Sequence, residues 1–147
     1  MCGIAGIIGT RDDVTRERLQ ALASSLAHRG PDDEGIDVIT GPSRTDRVVG
    51  FVHRRLAIID LSPAGHQPMC DPETGNWITF NGEIYNFREL RPQLETRGHQ
   101  FRTNSDTEVV VHAYEEWGEA CVERFNGMFA FALWDRRRRC LFAARDR

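Results

Sequence analysis

Short apolar runs broken by turn-forming residues are the feature that most constrains how this chain can fold. Runs of four to eight apolar residues predict strands, and the glycine, proline and aspartate residues between these runs predict turns. The first run, residues 2–9, has no polar alternation, which is typical of a strand buried on both faces. Further strands are predicted at residues 36–40, 48–53, 56–59 and 77–80.

One helix and one hairpin can be located from spacing alone. The helix is expected to have Asp13 or Thr15 as its N-cap and to stop at Gly30. Near the end of the chain, apolar residues 127–134 and 140–144 flank a polar, arginine-rich segment, which predicts a hairpin with a solvated turn. The apolar stripe of the helix consists of Leu19, Leu22, Ala23 and Leu26.

Two more helices are predicted from capping-box spacing. Asn86 is followed three residues later by Glu89, and Ser105 is followed in the same way by Glu108. Strands that are apolar on both faces, mixed with amphipathic helices, favour stacked sheets covered outside by helices. Composition leaves other α/β and α+β arrangements open. The expected buried faces are Leu90 and Leu94, then Val109, Val110, Ala113 and Trp117.

Composition narrows the class of protein and its partners. A chain of 147 residues has the length of one domain, and its net charge of −3 gives no reason to expect nucleic acid or a membrane as partner. No apolar run approaches the ~18 residues of a membrane span. The four cysteines are far apart, so we expect no metal site, no disulfide framework and a reducing, cytoplasmic location.

Cys2 directly follows the initiator methionine. Cysteine is small enough for an aminopeptidase to remove Met1, which would leave a free α-amine beside the thiol. Such an amine has a reference pKa of about 7.7–8.0, so near neutral pH it can accept the proton of its own thiol. This is the arrangement of an N-terminal nucleophile. Position alone leaves open a plain cysteine in a buried strand.

Five segments in a fixed order make the chain resemble a known family. The segments run from residue 1 to residue 108: MCGIAG at residues 1–6, HRGPD at 28–32 followed by Gly35, HRRLAIID at 53–60 followed by GHQP at 65–68, NGEIYN at 81–86, and SDTE at 105–108. Together they resemble the class II glutamine amidotransferase domain of the glutamine-dependent asparagine synthetase family, whose members carry an N-terminal nucleophile.

The resemblance implies a set of catalytic residues. Cys2 would attack the side-chain amide of glutamine, and Asn81 and Gly82 would form the oxyanion hole through the asparagine amide and the glycine N–H. The alternative for Asn81 and Gly82 is an Asn-Gly hairpin turn, which is a strong local signal by itself.

The resemblance also implies how glutamine would be bound. Arg55 would hold the α-carboxylate, a role suited to a planar guanidinium. Its neighbour Arg54 should face the opposite side of the strand and be structural. Asp106, helped by Glu83, would bind the α-ammonium. The five histidines are expected to be structural, and the substrate is expected to contact the backbone of Leu56, Ala57, Ile58 and Ile59.

The implied fold is α+β, the four-layer α/β/β/α sandwich of N-terminal-nucleophile hydrolases, formed by one domain over residues 1–147. Relatives continue into further strands and an ATP-dependent synthetase domain, so we expect this domain to be truncated at its C-terminal end. We expect no cofactor here, with ATP and Mg²⁺ needed only by that synthetase domain. Besides glutamine, the expected partner is a synthetase domain or subunit. A truncated fragment and a non-catalytic partner module are the alternatives.

Overall fold

The computed structural model describes residues 2–40, 47–57 and 63–147. No helix in these ranges is long and apolar enough to cross a membrane. The elements in chain order are β1 (Gly3–Gly9), α1 (Arg16–Ser25), β2 (Asp33–Thr40), β3 (Val48–Arg55), β4 (Met69–Cys70), β5 (Trp77–Ile84), α2 (Phe87–Thr96), α3 (Asp106–Trp117), β6 (Gly127–Asp135) and β7 (Cys140–Arg145), with short 3₁₀ segments at Ala27–Arg29, Pro63–Gly65 and Gly118–Arg124.

The strands form two antiparallel sheets. Sheet A has the order β1-β3-β2 and sheet B the order β4-β5-β6-β7. Helix α1 packs on one face of sheet A, and α2 and α3 pack on sheet B. A third apolar cluster, centred on Val49, Phe51 and Trp134, lies between the sheets. The layers are therefore α/β/β/α, as expected.

Strand β3 is buried on both faces, and the two-residue period of a strand sorts its side chains between two layers. Val48 and Val52 pack against α1. Val49 and Phe51 pack against sheet B, and His53 follows them on the same face. The ring Nε2 of His53 lies 3.0 Å from the carbonyl oxygen of Phe80 in β5, and because a carbonyl oxygen only accepts, His53 donates a hydrogen bond between the sheets.

Among the described residues, α3 is the most buried helix. Every residue from Asp106 to Tyr114 is buried, because the helix is enclosed by sheet B, α2 and the 3₁₀ segment Gly118–Arg124. Its predicted apolar face is confirmed at Val109, Val110 and Ala113. The amphipathic pattern underestimated this burial, since the polar residues near its N-terminus are enclosed as well.

Two of the strand predictions need correction. The predicted strand at residues 2–9 is confirmed as β1, but it is not buried on both faces: Ile8 is 45% exposed. Among the described strands, β1 pairs with β3 alone and forms an edge of sheet A. The predicted strand at 56–59 is not formed by Leu56 and Ala57, which follow β3 as irregular chain, and residues 58–59 lie outside the described ranges.

The capping predictions were right about position and partly wrong about partners. Thr15 caps α1 by accepting from the amide N of Arg18. Ser105 caps α3 through the amide of Thr107. Asn86 and Glu108 form no capping box.

The side chains of Asn86 and Glu108 bind neighbouring loops instead. The amide group of Asn86 binds the backbone of residues 124 and 126. The carboxylate of Glu108 accepts from the backbone N–H groups of Arg102 and Thr103. Backbone groups of loops that the tertiary fold brings close thus bind these side chains in place of the backbone at the helix N-terminus.

The predicted C-terminal hairpin is confirmed. Strands β6 and β7 pair antiparallel, with Asp135 opposite Cys140, and arginines 136–139 in the turn are exposed. Arg138 is fixed by its backbone N–H to Asp135 and by its guanidinium to the hydroxyl of Tyr114. The turn is therefore solvated but anchored to α3.

The neutral state of His53 predicts a loss of stability in mild acid. Burial lowers the pKa of His53 to about 4 from the ordinary value of 6.5. The folded protein therefore binds fewer protons than the unfolded chain between these values, and the free energy of unfolding should fall by up to about 3 kcal/mol as the pH drops from 6.5 to 4. His53→Gln should reduce this fall in urea unfolding curves, whereas His28→Gln, at an exposed position, should not. An unchanged pH dependence in His53→Gln would contradict the assignment.

Candidate active site

A pocket of about 100 Å³ opens where the ends of β3 and β5 meet at the interface of the two sheets. Sheet A and its N-terminal extension supply one wall, sheet B supplies the opposite wall, and the N-terminus of α3 closes the end. The lining residues come from six separate segments of the chain: Cys2; His53, Arg55 and Leu56; Gly65 and Gln67; Phe80, Asn81, Gly82 and Glu83; Ser105, Asp106 and Thr107; and Met128.

The thiol of Cys2 lies at the wall formed by the end of β3. Its Sγ is 3.3 Å from the backbone N of Leu56, which donates to it, and 3.6 Å from the carbonyl oxygen of the same residue. Arg29 donates from Nε to the carbonyl oxygen of Cys2 at 3.0 Å. The contacts with Leu56 and Arg29 fix the position of Cys2 at this wall of the pocket.

The segment that follows α1 positions the end of β3. Asp32 donates from its backbone N to the carbonyl oxygen of Arg55, and its carboxylate accepts from the backbone N of Ala57 at 2.9 Å. A Cβ atom on Gly30 would lie 2.4 Å from the backbone of Arg54, so any larger residue would push the two segments apart. The HRGPD segment therefore fixes the position of the pocket wall formed by the end of β3.

Arg54 and Arg55 point to opposite sides of β3, as the strand period predicts. Arg54 pairs with Glu34 at 2.6 Å and donates to the carbonyl oxygen of Gly30 on the α1 side. Arg55 is 9% exposed and lines the pocket. The pocket therefore has a cation in a largely water-excluded wall, where its attraction for an anion is strong.

Two carboxylates lie on the side of the pocket formed by sheet B and α3. Asp106 is 4% exposed, and its Oδ2 accepts from the backbone N of Ile84 at 2.9 Å. Burial raises the pKa of Asp106 above its ordinary value, and the negative charge of Glu83 adds to this, although backbone hydrogen bonds oppose it. A cation between Asp106 and Glu83 would offset this unfavourable burial of charge.

Asn81 and Gly82 lie inside β5 rather than at a turn. Strand β5 continues to Ile84 and pairs with β6 throughout, so the Asn-Gly hairpin alternative is wrong. The side-chain oxygen of Asn81 is buried and has no hydrogen-bond partner among the described residues. A buried polar atom without a partner next to a cavity is a group that a ligand can satisfy, and a half-turn of the amide presents its NH₂ instead.

Gly82 is required by the close approach of the next strand. Its φ of 154° is unfavourable for residues with a side chain, and a Cβ there would lie 2.1 Å from the carbonyl oxygen of Met128 and 2.6 Å from Cα of Phe129. The backbone of β5 can therefore face the pocket at this point only without a side chain.

The structure brings together most of the predicted site residues and adds others. Cys2, Arg55, Leu56, Asn81, Gly82, Glu83 and Asp106 all line the pocket. Ala57 is not among the lining residues, since its amide is turned to Asp32, and Ile58 and Ile59 lie outside the described ranges. The individual roles of these residues stay predictions.

Gln67 is a lining residue that sequence reasoning did not single out. It is 5% exposed, its Oε1 accepts from the backbone N of Phe80 at 2.7 Å, and its Nε2 donates to the hydroxyl of Thr107. Gln67 thereby ties β5 to the start of α3. Its place in the GHQP segment could have identified Gln67 from the sequence. Met128 could not have been identified in this way, because it reaches the pocket through the strand register that sets it opposite Glu83.

The fold agrees with that of a solved amidotransferase. The structure of glutamine phosphoribosylpyrophosphate amidotransferase from Bacillus subtilis superimposes with a TM-score of 0.68 over 97% of this chain and 37% of that one. At 21% identity this likeness shows that the two proteins share a fold.

The chain belongs to the glutamine amidotransferase domain family, whose model matches residues 1–147. It is 44% identical over its full length to the glutamine-hydrolysing asparagine synthetase 3 of Bacillus subtilis, and 44% identical over 99% of its length to the corresponding enzyme of Asparagus officinalis. It spans 23% of the length of each of these relatives, and it matches their amidotransferase part.

Gly82→Ala is expected to destabilise the protein more than Gly98→Ala does. Both glycines have positive φ, but a Cβ on Gly98 meets nothing within 4 Å, so only the conformational cost of roughly 1 kcal/mol applies there. At Gly82 the backbone of β6 must also move. Denaturant unfolding of both variants measures the difference, and equal losses of stability would show that the close approach of β6 is unimportant.

Proposed function

We propose that this domain binds free glutamine and hydrolyses its side-chain amide through a thioester on Cys2. The observation that carries the proposal is the pocket itself, which places a thiol, a buried arginine and a buried carboxylate around one cavity. These are the groups needed to hold an α-amino acid by its two charged ends while its side chain reaches a nucleophile.

In this proposal the charged ends of glutamine bind at opposite walls. Arg55 holds the α-carboxylate with a bidentate pair of charge-assisted hydrogen bonds. Asp106 and Glu83 hold the α-ammonium, and this contact supplies the positive charge that these two carboxylates lack in the free protein. Leu56 is proposed to contact the substrate through its backbone.

The proposed chemistry begins once Met1 has been removed. The α-amine of Cys2 takes the thiol proton, and the thiolate attacks the side-chain carbonyl carbon of glutamine. The tetrahedral oxyanion is stabilised by the amide of Asn81 and the N–H of Gly82. Collapse of the intermediate breaks the C–N bond, and the leaving nitrogen takes the proton and departs as ammonia. Water then hydrolyses the thioester, which gives glutamate and frees the thiol.

The destination of the ammonia is proposed from the relatives. Their names describe glutamine-hydrolysing asparagine synthetases, so we propose that ammonia released here serves ATP-dependent asparagine synthesis by a synthetase domain or subunit. ATP and Mg²⁺ would act only in that ligase reaction, and the amidotransferase chemistry itself needs neither. We also propose a cytoplasmic location, which suits a biosynthetic enzyme with a free catalytic thiol.

Cys2→Ala is expected to abolish glutamine hydrolysis while leaving the fold intact. The rate of glutamate formation should fall by at least about 10³-fold, because the variant has no nucleophile. Cys140→Ala, in β7 and outside the pocket, is the matched control and should keep the wild-type rate. Circular dichroism checks folding, and intact mass establishes whether Met1 has been removed. Turnover by a form that retains Met1 would overturn the proposed mechanism, and a folded wild type without turnover would favour a non-catalytic module.

Arg55→Ala should raise the KM for glutamine far more than Arg54→Ala does. Loss of two charge-assisted hydrogen bonds, each contributing about 1.5–3 kcal/mol, corresponds to an increase of roughly 100-fold or more. Arg54→Ala is a matched control on the opposite face of the same strand and should change KM little. Steady-state kinetics of both variants decide the matter, and the reverse ranking would assign the carboxylate to the wrong arginine.

A further inference from the structure

A second cluster of ionisable side chains lies away from the glutamine pocket, on the side of α3 that contacts Thr74 and Asn76. Among the described residues, one group of three histidine, cysteine or acidic side chains can direct a ligand atom each at a common point: His99, His112 and Glu115, whose ligand atoms lie within 4.8 Å of one another. His112 and Glu115 are one turn apart on α3, and His99 lies in the segment between α2 and α3.

We propose that His99, His112 and Glu115 bind a zinc ion. Two imidazoles and one carboxylate form a frequent zinc ligand set, with water completing the tetrahedron. Imidazole favours Zn²⁺ and its first-row neighbours over Mg²⁺ and Ca²⁺, which prefer oxygen ligands. The zinc ion would take no direct part in the proposed glutamine chemistry.

The distances between the ligand atoms suit a tetrahedral zinc ion. Oε2 of Glu115 is 2.8 Å from Nδ1 of His112 and 3.8 Å from Nδ1 of His99. Bonds of about 2.0–2.2 Å at tetrahedral angles place neighbouring ligand atoms about 3.4 Å apart. The ligand atoms lie up to 4.8 Å apart, so side-chain rotations that bring them closer by up to about 1.4 Å would complete the site.

The outer groups around the cluster are those that zinc-binding side chains require. The far nitrogen of His99, Nε2, lies 3.2 Å from a carboxylate oxygen of Glu116. The other oxygen of Glu115, Oε1, accepts from Thr74 at 2.5 Å and from Asn76 at 3.0 Å. A carboxylate behind a metal-binding histidine, and hydrogen bonds that orient a metal-binding carboxylate, both raise metal affinity.

The far nitrogen of His112 is a second, independent indication. His112 is 4% exposed, and its Nε2 is buried with no hydrogen-bond partner among the described residues. This atom lies 3.9 Å from Oε1 of Glu108. When Nδ1 donates its proton to Glu115, Nε2 of the neutral ring turns a lone pair toward a carboxylate. Zinc at Nδ1 would move the proton to Nε2, where it faces Glu108.

The local charge also favours a cation. Glu108, Glu115 and Glu116 approach the two rings, while Arg97, which directly follows α2, pairs with Glu116. The potential at the cluster is therefore negative. An ion can enter from the side of His99, whose side chain is 18% exposed, compared with 5% for His112.

The expected consequence of zinc binding is a clamp on the segment between α2 and α3. This segment leads from His99 to Ser105, the residue that caps α3, and the clamp would fix it to the middle of the same helix. The sequence-based expectation of no metal site considered the cysteines, which are not involved. The ligands of the proposed zinc site are instead His112 and Glu115, three residues apart on α3, and His99, which lies 13 positions before His112.

The test is calorimetric titration of tag-free, chelator-treated protein with Zn²⁺, and with Mg²⁺ as the hard-cation control. We expect one Zn²⁺ per chain, no binding of Mg²⁺ and a higher thermal unfolding temperature with Zn²⁺. Co²⁺ in place of Zn²⁺ should give visible absorption of a four-coordinate site without a thiolate charge-transfer band. No stoichiometric Zn²⁺ binding by folded wild-type protein would overturn the proposal.

Variants assign the ligands. His99→Gln removes a ligand from a partly exposed position and should weaken zinc binding by more than the ~10–100-fold that loss of an outer partner costs, which is the effect expected for Glu116→Gln. His28→Gln, an exposed histidine outside the cluster, and Cys2→Ala should bind as wild type. Unchanged affinity in His99→Gln, or loss of binding in Cys2→Ala, would overturn the assignment to this cluster. Circular dichroism of each variant confirms that it is folded.

Discussion

The contact between β3 and β5 across the two sheets is the interaction on which the rest of the structure depends. An apolar cluster between the sheets is joined by two buried hydrogen bonds, from Thr79 to the carbonyl of Val52 and from His53 to the carbonyl of Phe80. Water is excluded from this interface, so each carbonyl oxygen depends on its protein donor. Leaving one of these buried carbonyl oxygens without a donor would cost more free energy than the hydrogen bond itself contributes. These bonds therefore specify how far one sheet can slide over the other, and with it the distance across the pocket.

The fold supports the polar groups of the pocket only in part. Asp106 is buried at the first turn of α3, where backbone N–H groups stabilise negative charge, yet its raised pKa shows that this compensation is incomplete. The unpaired oxygen of Asn81 is a similar deficit. A ligand with a positive charge and an amide would relieve both, so unfavourable burial in the free protein becomes affinity for the substrate class that we propose.

Helix α3 connects the two sites discussed above. Asp106 at its N-terminus faces the glutamine pocket, and His112 lies six residues further on, about 9 Å along the axis. The polar side chains between the sites hold neighbouring segments: Thr107 binds Gln67, and Glu108 binds the backbone of residues 102 and 103. A zinc ion on the middle of this helix would thus stabilise the loop that delivers Asp106 to the pocket.

The sequence by itself determined the elements whose signals are local, and the family. The caps at Thr15 and Ser105, the stripe of α1 and the C-terminal hairpin follow from neighbouring residues, and the ordered motifs follow from likeness. Only the tertiary structure decided that Asn81 and Gly82 lie within a strand, because the pairing of β5 with β6 overrides the local turn preference. It also decided where Gln67 and Met128 lie and which atoms stay unpaired, since burial and hydrogen-bond partners depend on segments distant in the chain.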